Sequence, residues 1–278
     1  SNGMIAGIIG GTGQMGRFFA GVFQTAGWET VVSGRRTELT NRDVAEMADL
    51  VLVSVPIRAT AEVIREIAPL LSEDQVFCDL TSLKVEPVRA MLASRAEVIG
   101  LHPMFGPGVA SLRGQTIVAT PARCSQETLD TLLSVFREQG AEITISTPED
   151  HDRMMAVIQG LTHFVTLAKA EAIRRTGADI AESLRFTSPI YRIEMGLVGR
   201  ILAQDAGLYG DILQMNPAVP EVLARFEEAV RALREIVESG DADRFQEFFA
   251  ANAAHYASYL ESATEETDDL INHVVSGR

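Results

Sequence analysis

Cysteine and positive charge are both scarce in this chain of 278 residues. The two cysteines, Cys78 and Cys124, form no CxxC pair and no spaced framework, so we expect neither disulfides nor a bound metal. The formal net charge of −14 argues against duplex nucleic acid and anionic membranes as partners, because both require a basic surface. A small anionic substrate remains compatible with this charge, because a few arginines can bind one locally.

Long hydrophobic runs are absent as well. The apolar stretch over residues 50–57 is far too short to span a bilayer, and no signal peptide is recognisable. We therefore expect a cytoplasmic protein with no membrane partner. Hydrophobic residues make up 46% of the chain and charged residues 22%, a balance typical of globular proteins, and the length suits about two domains.

The first half of the chain alternates short apolar runs with helical patterns. This alternation predicts an α/β domain over residues 4–146, a Rossmann-type, doubly wound parallel sheet with helices on both faces. The strands are predicted at residues 4–10, 29–33, 50–55, 76–80, 98–101, 116–119 and 143–145, and helices at 15–26, 59–71 and 127–139.

Helical patterns dominate the second half, residues 147–278. Thr147 followed by Pro148, and Ser188 followed by Pro189, each combine a capping side chain with a proline that suits the first turn of a helix. Apolar residues recur at helical spacing after the first of these starts. The sequence therefore predicts a C-terminal all-α domain.

A glycine motif of the form GxGxxG lies at the first predicted strand-to-helix turn. In a Rossmann domain, such glycines allow a tight turn and let the backbone approach a pyrophosphate at the helix N-terminus. The motif in this context predicts a nicotinamide-dinucleotide site, and a glycine-rich turn without a ligand is the alternative. The candidate cofactor contacts are the six residues of the motif: Gly11, Thr12, Gly13, Gln14, Met15 and Gly16.

The second predicted strand ends at Ser33, and Arg35 and Arg36 follow closely. An NAD site usually has an acidic residue at this place, which binds the ribose 2′-hydroxyl. Here serine replaces the acid, and two guanidinium groups suit a 2′-phosphate. The pattern favours NADP over NAD and makes all three residues candidate cofactor contacts. Two solvated loop arginines are the alternative interpretation.

Three further segments carry candidate chemistry. DLTSLK, residues 79–84, and GLHPMFGP, residues 100–107, each lie at the end of a predicted strand, and open α/β sheets bind ligands at the carboxyl ends of their strands. The third is a predicted helix with Arg192 and Arg200. Their eight-residue spacing places them about 80° apart around a helix, so both can face one cleft.

At these segments the chain resembles the prephenate dehydrogenase family, in particular the dehydrogenase part of the bacterial fusion with chorismate mutase. The resemblance covers the chain from Met4 to about Leu260. It implies oxidative decarboxylation of prephenate to 4-hydroxyphenylpyruvate with hydride transfer to NAD(P), in tyrosine biosynthesis, and a homodimer formed by the helical half. The stretches that carry it are GGTGQMGR, SVPI, DLTSLK, GLHPMFGP with SLRGQ, and SPIYRIEMGLVGRILAQD.

The resemblance also implies roles for single residues. His102 would accept the proton of the ring hydroxyl, Ser82 would orient the hydroxyl or the imidazole, and Arg200 would bind a substrate carboxylate. Arg192 is compatible with a purely structural role, Lys84 with a solvated loop charge and His163 with a place in the core. The further substrate-binding candidates are Arg192, Lys84, His163 and Gln115, and the further cofactor candidates are Val55 and Pro56.

Related architectures serve other enzymes, and the fold alone does not choose between them. β-Hydroxy acid dehydrogenases and some imine reductases also join a Rossmann domain to a helical dimerising domain. Arogenate dehydrogenase, whose substrate carries an amino group in place of the keto group, is the close alternative within the family. A non-catalytic NADP-binding sensor is the alternative outside enzymes, and it would turn over neither substrate.

Overall fold

The computed structural model describes residues 3–277, which form a seven-stranded sheet and thirteen α-helices. A π-helical segment, Ala156–Leu161, joins α6 to α7. In chain order the elements are β1 Ile5–Ile9, α1 Gln14–Thr25, β2 Glu29–Ser33, α2 Asn41–Met47, β3 Leu50–Val53, α3 Ile57–Ile67, β4 Val76–Asp79, α4 Val85–Leu92, β5 Glu97–Pro103, β6 Thr116–Arg123, α5 Gln126–Arg137, β7 Glu142–Ile145, α6 Pro148–Met155, α7 Thr162–Thr176, α8 Ile180–Arg185, α9 Pro189–Leu202, α10 Ala206–Gln214, α11 Val219–Ser239, α12 Ala242–His255 and α13 Leu260–Ser276.

The strands lie in the order β2-β1-β3-β4-β5-β6-β7. β1 to β5 are parallel to one another, and β1 pairs with β2 on one side and β3 on the other. The strand order therefore reverses between β1 and β3, which is the place where open α/β sheets bind ligands. The predicted doubly wound α/β fold with a helical C-terminal half is confirmed.

β6 departs from the fully parallel sheet that the sequence predicted, because it runs antiparallel to β5. The twelve residues between these strands contain no helix, and a parallel connection needs a crossover that is usually helical. β6 also extends beyond the predicted residues 116–119. At its far end, the Arg123 guanidinium Nη2 donates to the carbonyl oxygens of Ser94 and Ala96, both at 2.6 Å.

The central strands β1, β3, β4 and β5 are buried on both faces, which explains why they are continuous apolar runs in the sequence. Leu50 and Leu52 of β3 belong to a core cluster shared with α1 and α5. Val51 and Val53, which alternate with them, belong to a second cluster with α2, α3 and α4. Helices thus cover each face, and the loops at the carboxyl ends of the strands remain available for a site.

The described chain divides into two compact units. The first contains the sheet and consists of residues up to Ile158 together with Gly210–Asn216, and the second consists of Gln159–Tyr209 and the residues from Pro217 on. Both predicted helix starts are present, since the hydroxyls of Thr147 and Ser188 accept backbone N–H groups at the first turns of α6 and α9. Within residues 3–277, every helix is too short or too polar to span a bilayer.

Candidate active site

The turn between β1 and α1 is built from glycines that leave no room for side chains. Gly10 has a φ of +82°, and a Cβ there would lie 2.0 Å from the carbonyl oxygen of Ser54. A Cβ on Gly16 would lie 2.5 Å from the carbonyl oxygen of Gly10, and one on Gly11 would lie 2.7 Å from a side chain of β2. Gly13 lacks such a clash, so its open position leaves the backbone accessible to a ligand.

A cleft of about 690 Å³ opens beside this turn. Ser33, a predicted cofactor contact, does not line the cleft. It is fully buried, and its hydroxyl donates to Oδ1 of the lining residue Asn41 at 2.8 Å. Gln14 and Met15 form the start of α1. The predicted residues that line the cleft are Thr12, Gly13, Arg35, Arg36, Val55 and Pro56. Further lining residues that the sequence analysis missed are Ile9, Gly10, Arg17, Gly34, Thr37, Asn41 and Ser54.

The wall of the cleft is positively charged. Arg17, Arg35 and Arg36 line it, and among the described residues its lining contains no carboxylate. Arg17 directly follows the glycine motif in the sequence, which is a signal that could have identified it. Three guanidinium groups around one cleft favour a ligand with phosphate groups.

The residues of this cleft fit a nicotinamide dinucleotide. α1 begins directly after the turn with Gly13 as its N-cap, and glycine has no side chain to satisfy the first N–H groups of the helix. Those groups are suited to a pyrophosphate, and the glycines admit it without a clash. The cleft also lies where the strand order reverses.

A second feature of the same sheet edge is a buried chain of hydrogen bonds that starts at His102 in β5. His102 Nδ1 lies 2.8 Å from Nε2 of His151 on α6, and His151 Nδ1 lies 2.7 Å from Oδ1 of Asp152. The two histidines are each 2% exposed and Asp152 is 5% exposed. Three groups able to move or orient a proton are thus connected by hydrogen bonds and buried away from water.

Asp152 is the fixed end of this series of hydrogen bonds. Its Oδ1 accepts the backbone N–H of Lys84 at 2.8 Å, and its Oδ2 accepts the backbone N–H of Val85 at 3.1 Å. It thereby satisfies donors at the start of α4, where no side chain of α4 itself acts as a cap. The side-chain amide of Asn216 donates to the backbone carbonyl of Asp152 at 2.8 Å, which attaches residues 210–216 to the first unit.

Lys84, a predicted substrate-binding residue, is fully buried, and its Nζ pairs with the carboxylate of Asp79. The alternative interpretation of Lys84 as a solvated loop charge is therefore wrong. Gly100 packs closely beside this pair: a Cβ there would lie 2.4 Å from Thr120 Oγ1, 2.8 Å from Val88 Cγ2 and 3.1 Å from Lys84 Cδ. Burial lowers the pKa of Lys84 and raises the pKa of Asp79, and the attraction between the two opposes both shifts.

Burial also decides the charge state of His102. Desolvation is the main cause that holds the pKa of His102 well below its usual value, and the neighbouring His151 and Lys84 lower it further. The imidazole of His102 is therefore neutral at neutral pH and can act as a base. Ser82 is half-buried in the loop between β4 and α4, and Gln115, also half-buried, directly precedes β6.

The three candidates on the helical half lie in the second unit. Arg200 is exposed on α9. Arg192, on the same helix, donates through Nη1 to the carbonyl oxygen of Val274 at 3.2 Å, as expected of a structural role. His163 is half-buried, with its ring edge-on to Tyr209 at a centroid distance of 5.0 Å, and burial lowers its pKa.

His151 and Asp152 are the residues of this site that sequence reasoning missed. They follow Glu149 and Asp150 in α6, and the acidic residues of this stretch are accounted for by the helix N-terminus alone. A His-Asp dipeptide is compatible with many surface helices. Only the packing of α6 against α4 and β6 brings this pair to His102.

A doubly wound sheet with a glycine-lined cleft suited to a dinucleotide, and a buried neutral imidazole at the same sheet edge, are features shared with nicotinamide-nucleotide-dependent oxidoreductases. Comparison with known families agrees. Residues 30–145 match the nucleotide-binding domain of prephenate dehydrogenase, and residues 147–251 match the dimerization domain of prephenate dehydrogenase.

Curated relatives agree with this match. The chain is 33% identical to the probable arogenate/prephenate dehydrogenase of Methanocaldococcus jannaschii, over 95% of this chain and 64% of that protein. It is 35% identical to the T-protein of Haemophilus influenzae, over 95% of this chain and 70% of that protein. The chain thus spans about two thirds of the length of these relatives, and it belongs to the prephenate dehydrogenase family.

Solved structures show the same fold. The prephenate dehydrogenase from A. aeolicus in complex with hydroxyphenyl propionate and NAD+ has a TM-score of 0.73 at 19% identity, covering 92% of this chain and 99% of that one. The arogenate dehydrogenase of Synechocystis has a TM-score of 0.70 at 20% identity, covering 92% of this chain and 100% of that one.

Proposed function

We propose that this protein catalyses the oxidative decarboxylation of prephenate to 4-hydroxyphenylpyruvate, with NAD(P) as the hydride acceptor. The observation that carries the proposal is the buried, neutral imidazole of His102 at the sheet edge that also forms the nucleotide cleft. Membership of the prephenate dehydrogenase family supports the choice of substrate. The fold alone does not, because it also serves other oxidoreductases.

The proposed chemistry requires little of the protein beyond orientation and one base. A hydride leaves the ring carbon that bears the hydroxyl, and the bound nicotinamide supplies the acceptor for it. The bond from the opposite ring carbon to its carboxylate breaks, carbon dioxide leaves, and the electron pair enters the ring, which becomes aromatic. The hydroxyl proton becomes acidic as the C–O bond gains carbonyl character. His102 receives this proton and returns it to the phenolate oxygen of the product.

The test of this function is an assay of prephenate and arogenate, each with NAD and with NADP, that follows the reduced nucleotide by absorbance. We expect turnover of prephenate. Preference for arogenate would reassign the enzyme within its family. Nucleotide binding without turnover of either substrate would contradict the proposal and favour a sensor.

We infer that NADP is the preferred nucleotide, because three arginines line the cleft without a carboxylate among its described lining residues. Replacing both Arg35 and Arg36 by alanine is expected to raise the Michaelis constant for NADP about 100-fold or more, since two charged hydrogen bonds to a phosphate together contribute roughly 3 kcal/mol or more. The constant for NAD should change little.

The matched control for this pair is Arg42→Ala. Arg42 is an exposed arginine on α2 that pairs with Glu46 at 3.7 Å and does not line the cleft. The Arg42→Ala substitution removes the same kind of charge near the cleft, and it is expected to leave the Michaelis constants for NADP and NAD near their original values. A double variant whose NADP constant equals that of Arg42→Ala would exclude the phosphate clamp.

We assign Arg200 to a substrate carboxylate, on the basis of the VGR stretch and its exposed position on α9. Arg200→Ala should raise the Michaelis constant for prephenate about 30-fold or more, because the loss of a charged partner costs about 2–5 kcal/mol. Arg192→Ala is the control on the same helix, and it should lower thermal stability because it loses the bond to Val274. If steady-state kinetics give an unchanged Michaelis constant for prephenate in Arg200→Ala, this role is ruled out.

We further propose that the helical half forms a homodimer. Within the second unit, a groove of about 1240 Å³ opens between α7, α8 and α9, and large apolar side chains nearby are exposed, including Phe186 at 82% and Leu202 at 62%. A monomer rarely exposes so much apolar surface. Sedimentation equilibrium should give about twice the chain mass of 30.2 kDa. A measured mass equal to that of one chain would contradict the proposal.

A further inference from the structure

We propose that Asp152 and His151 are positioning residues, which fix the tautomer of His102 so that its Nε2 carries the lone pair that receives the substrate proton. The role of the lone pair rests on the proposed function, whereas the tautomer itself is a property of the protein alone. The inference follows from the donors and acceptors along the buried chain, taken from its fixed end.

The fixed end is the carboxylate of Asp152, which can only accept hydrogen bonds. Its two oxygens accept the backbone N–H groups of Lys84 and Val85, which can only donate, and this holds the carboxylate in one orientation. His151 Nδ1 lies 2.7 Å from Oδ1 of this carboxylate. His151 must therefore carry a proton on Nδ1.

The next link follows directly from the chemistry of imidazole. A neutral imidazole with a proton on Nδ1 has a lone pair on Nε2, so it accepts a hydrogen bond there. In that neutral form of His151, the N–H of His102 Nδ1, 2.8 Å away, donates to this nitrogen. The single proton of neutral His102 is thus held on Nδ1, and the lone pair is on Nε2.

This arrangement determines the direction of proton transfer. A neutral histidine with its proton on Nε2 would offer a donor to the substrate hydroxyl and could not accept its proton from that side. Asp–His pairs in hydrolases orient a catalytic imidazole by the same logic, and loss of the orienting carboxylate there costs kcat through the wrong tautomer. Here the carboxylate acts through an intervening imidazole, because α6 presents His151 rather than Asp152 to β5.

The kinetic test compares two substitutions of His151. His151→Leu removes the acceptor that faces His102, so the tautomer is no longer fixed, and we expect kcat to fall by about 10-fold or more with the Michaelis constants nearly unchanged. His151→Gln places a carbonyl oxygen near the position of Nε2 and should restore kcat to within a few-fold of the original. Equal losses in the two variants, or full activity in His151→Leu, would overturn the proposal.

A structural measurement decides the tautomer without turnover. The chain contains five histidines, so ¹⁵N-histidine labelling gives few imidazole signals, and the His102→Gln variant identifies those of His102. At a pH above the imidazole range, we expect protonated Nδ1 and unprotonated Nε2 for both His102 and His151 in the original protein. A proton on Nε2 of His102 would refute the relay. Inactivity of the original protein on prephenate and arogenate would refute the proposed function instead, and the NMR result would stand.

Discussion

His102→Ala is expected to retain nucleotide binding and to lose about 10²- to 10⁴-fold in kcat on prephenate, the usual contribution of a positioned general base. The hydroxyl proton would then have to pass to water, which the buried setting of His102 excludes. The measurement is kcat from nucleotide absorbance, together with a separate dissociation constant for NADP. The control is His255→Ala, an exposed histidine on α12, which should keep normal turnover.

The pH dependence of kcat follows from the burial of the same imidazole. The pKa of His102 lies well below its usual value, mainly because of desolvation and also because of His151 and Lys84. Since the base must be neutral, activity should persist below the ordinary imidazole pKa of about 6.5 and disappear only as the pH falls through the lowered pKa. An acid limb centred at or above the ordinary value would contradict this.

Lys84→Met is expected to destabilise the protein by about 3–5 kcal/mol, because it leaves the Asp79 carboxylate buried without its ammonium partner. Methionine keeps much of the volume of the side chain, so the loss reflects charge rather than a cavity. Equilibrium unfolding in urea measures the change. The double variant Lys84→Met with Asp79→Leu should regain much of the stability, since no unpaired charge remains.

Lys169 provides the matched control, because the chain contains only these two lysines. Lys169 pairs with Glu194 at 2.8 Å, but its side chain is 35% exposed and that of its partner 49%. Lys169→Met should therefore cost at most about 1 kcal/mol. Equal losses in the two lysine variants would mean that the buried pair is not the origin of the effect.

The sequence predicted the elements that follow from local patterns. β3 is predicted from its run of four apolar residues, which are all buried because both faces of the strand are covered. The starts of α6 and α9 follow from their capping hydroxyls and prolines. The glycine motif located the nucleotide cleft because its context, strand then helix, is local as well. Gly10 was not identified, because its constraint comes from a carbonyl of the neighbouring strand end, forty-four residues away.

The parts that the sequence did not predict depend on contacts between distant segments. The residues of β6 do not determine the direction of the strand. The short, helix-free connection before β6 is nevertheless a signal against a parallel crossover. The burial of Lys84 depends on its pairing with the buried Asp79 and on the close packing around Gly100. The acceptor for His102 comes from a helix forty-nine positions further along the chain.

The return of Gly210–Asn216 to the sheet-bearing unit matters for anyone who builds chimeras with relatives of this protein. A junction at residue 146 would keep His102 in the sheet fragment and assign His151, Asp152 and Asn216 to the other parent. Grafts that exchange the unit as a whole need crossover points after residue 158, before 210 and after 216. Halves joined at residue 146 would instead pair an imidazole from one parent with an orienting carboxylate from the other.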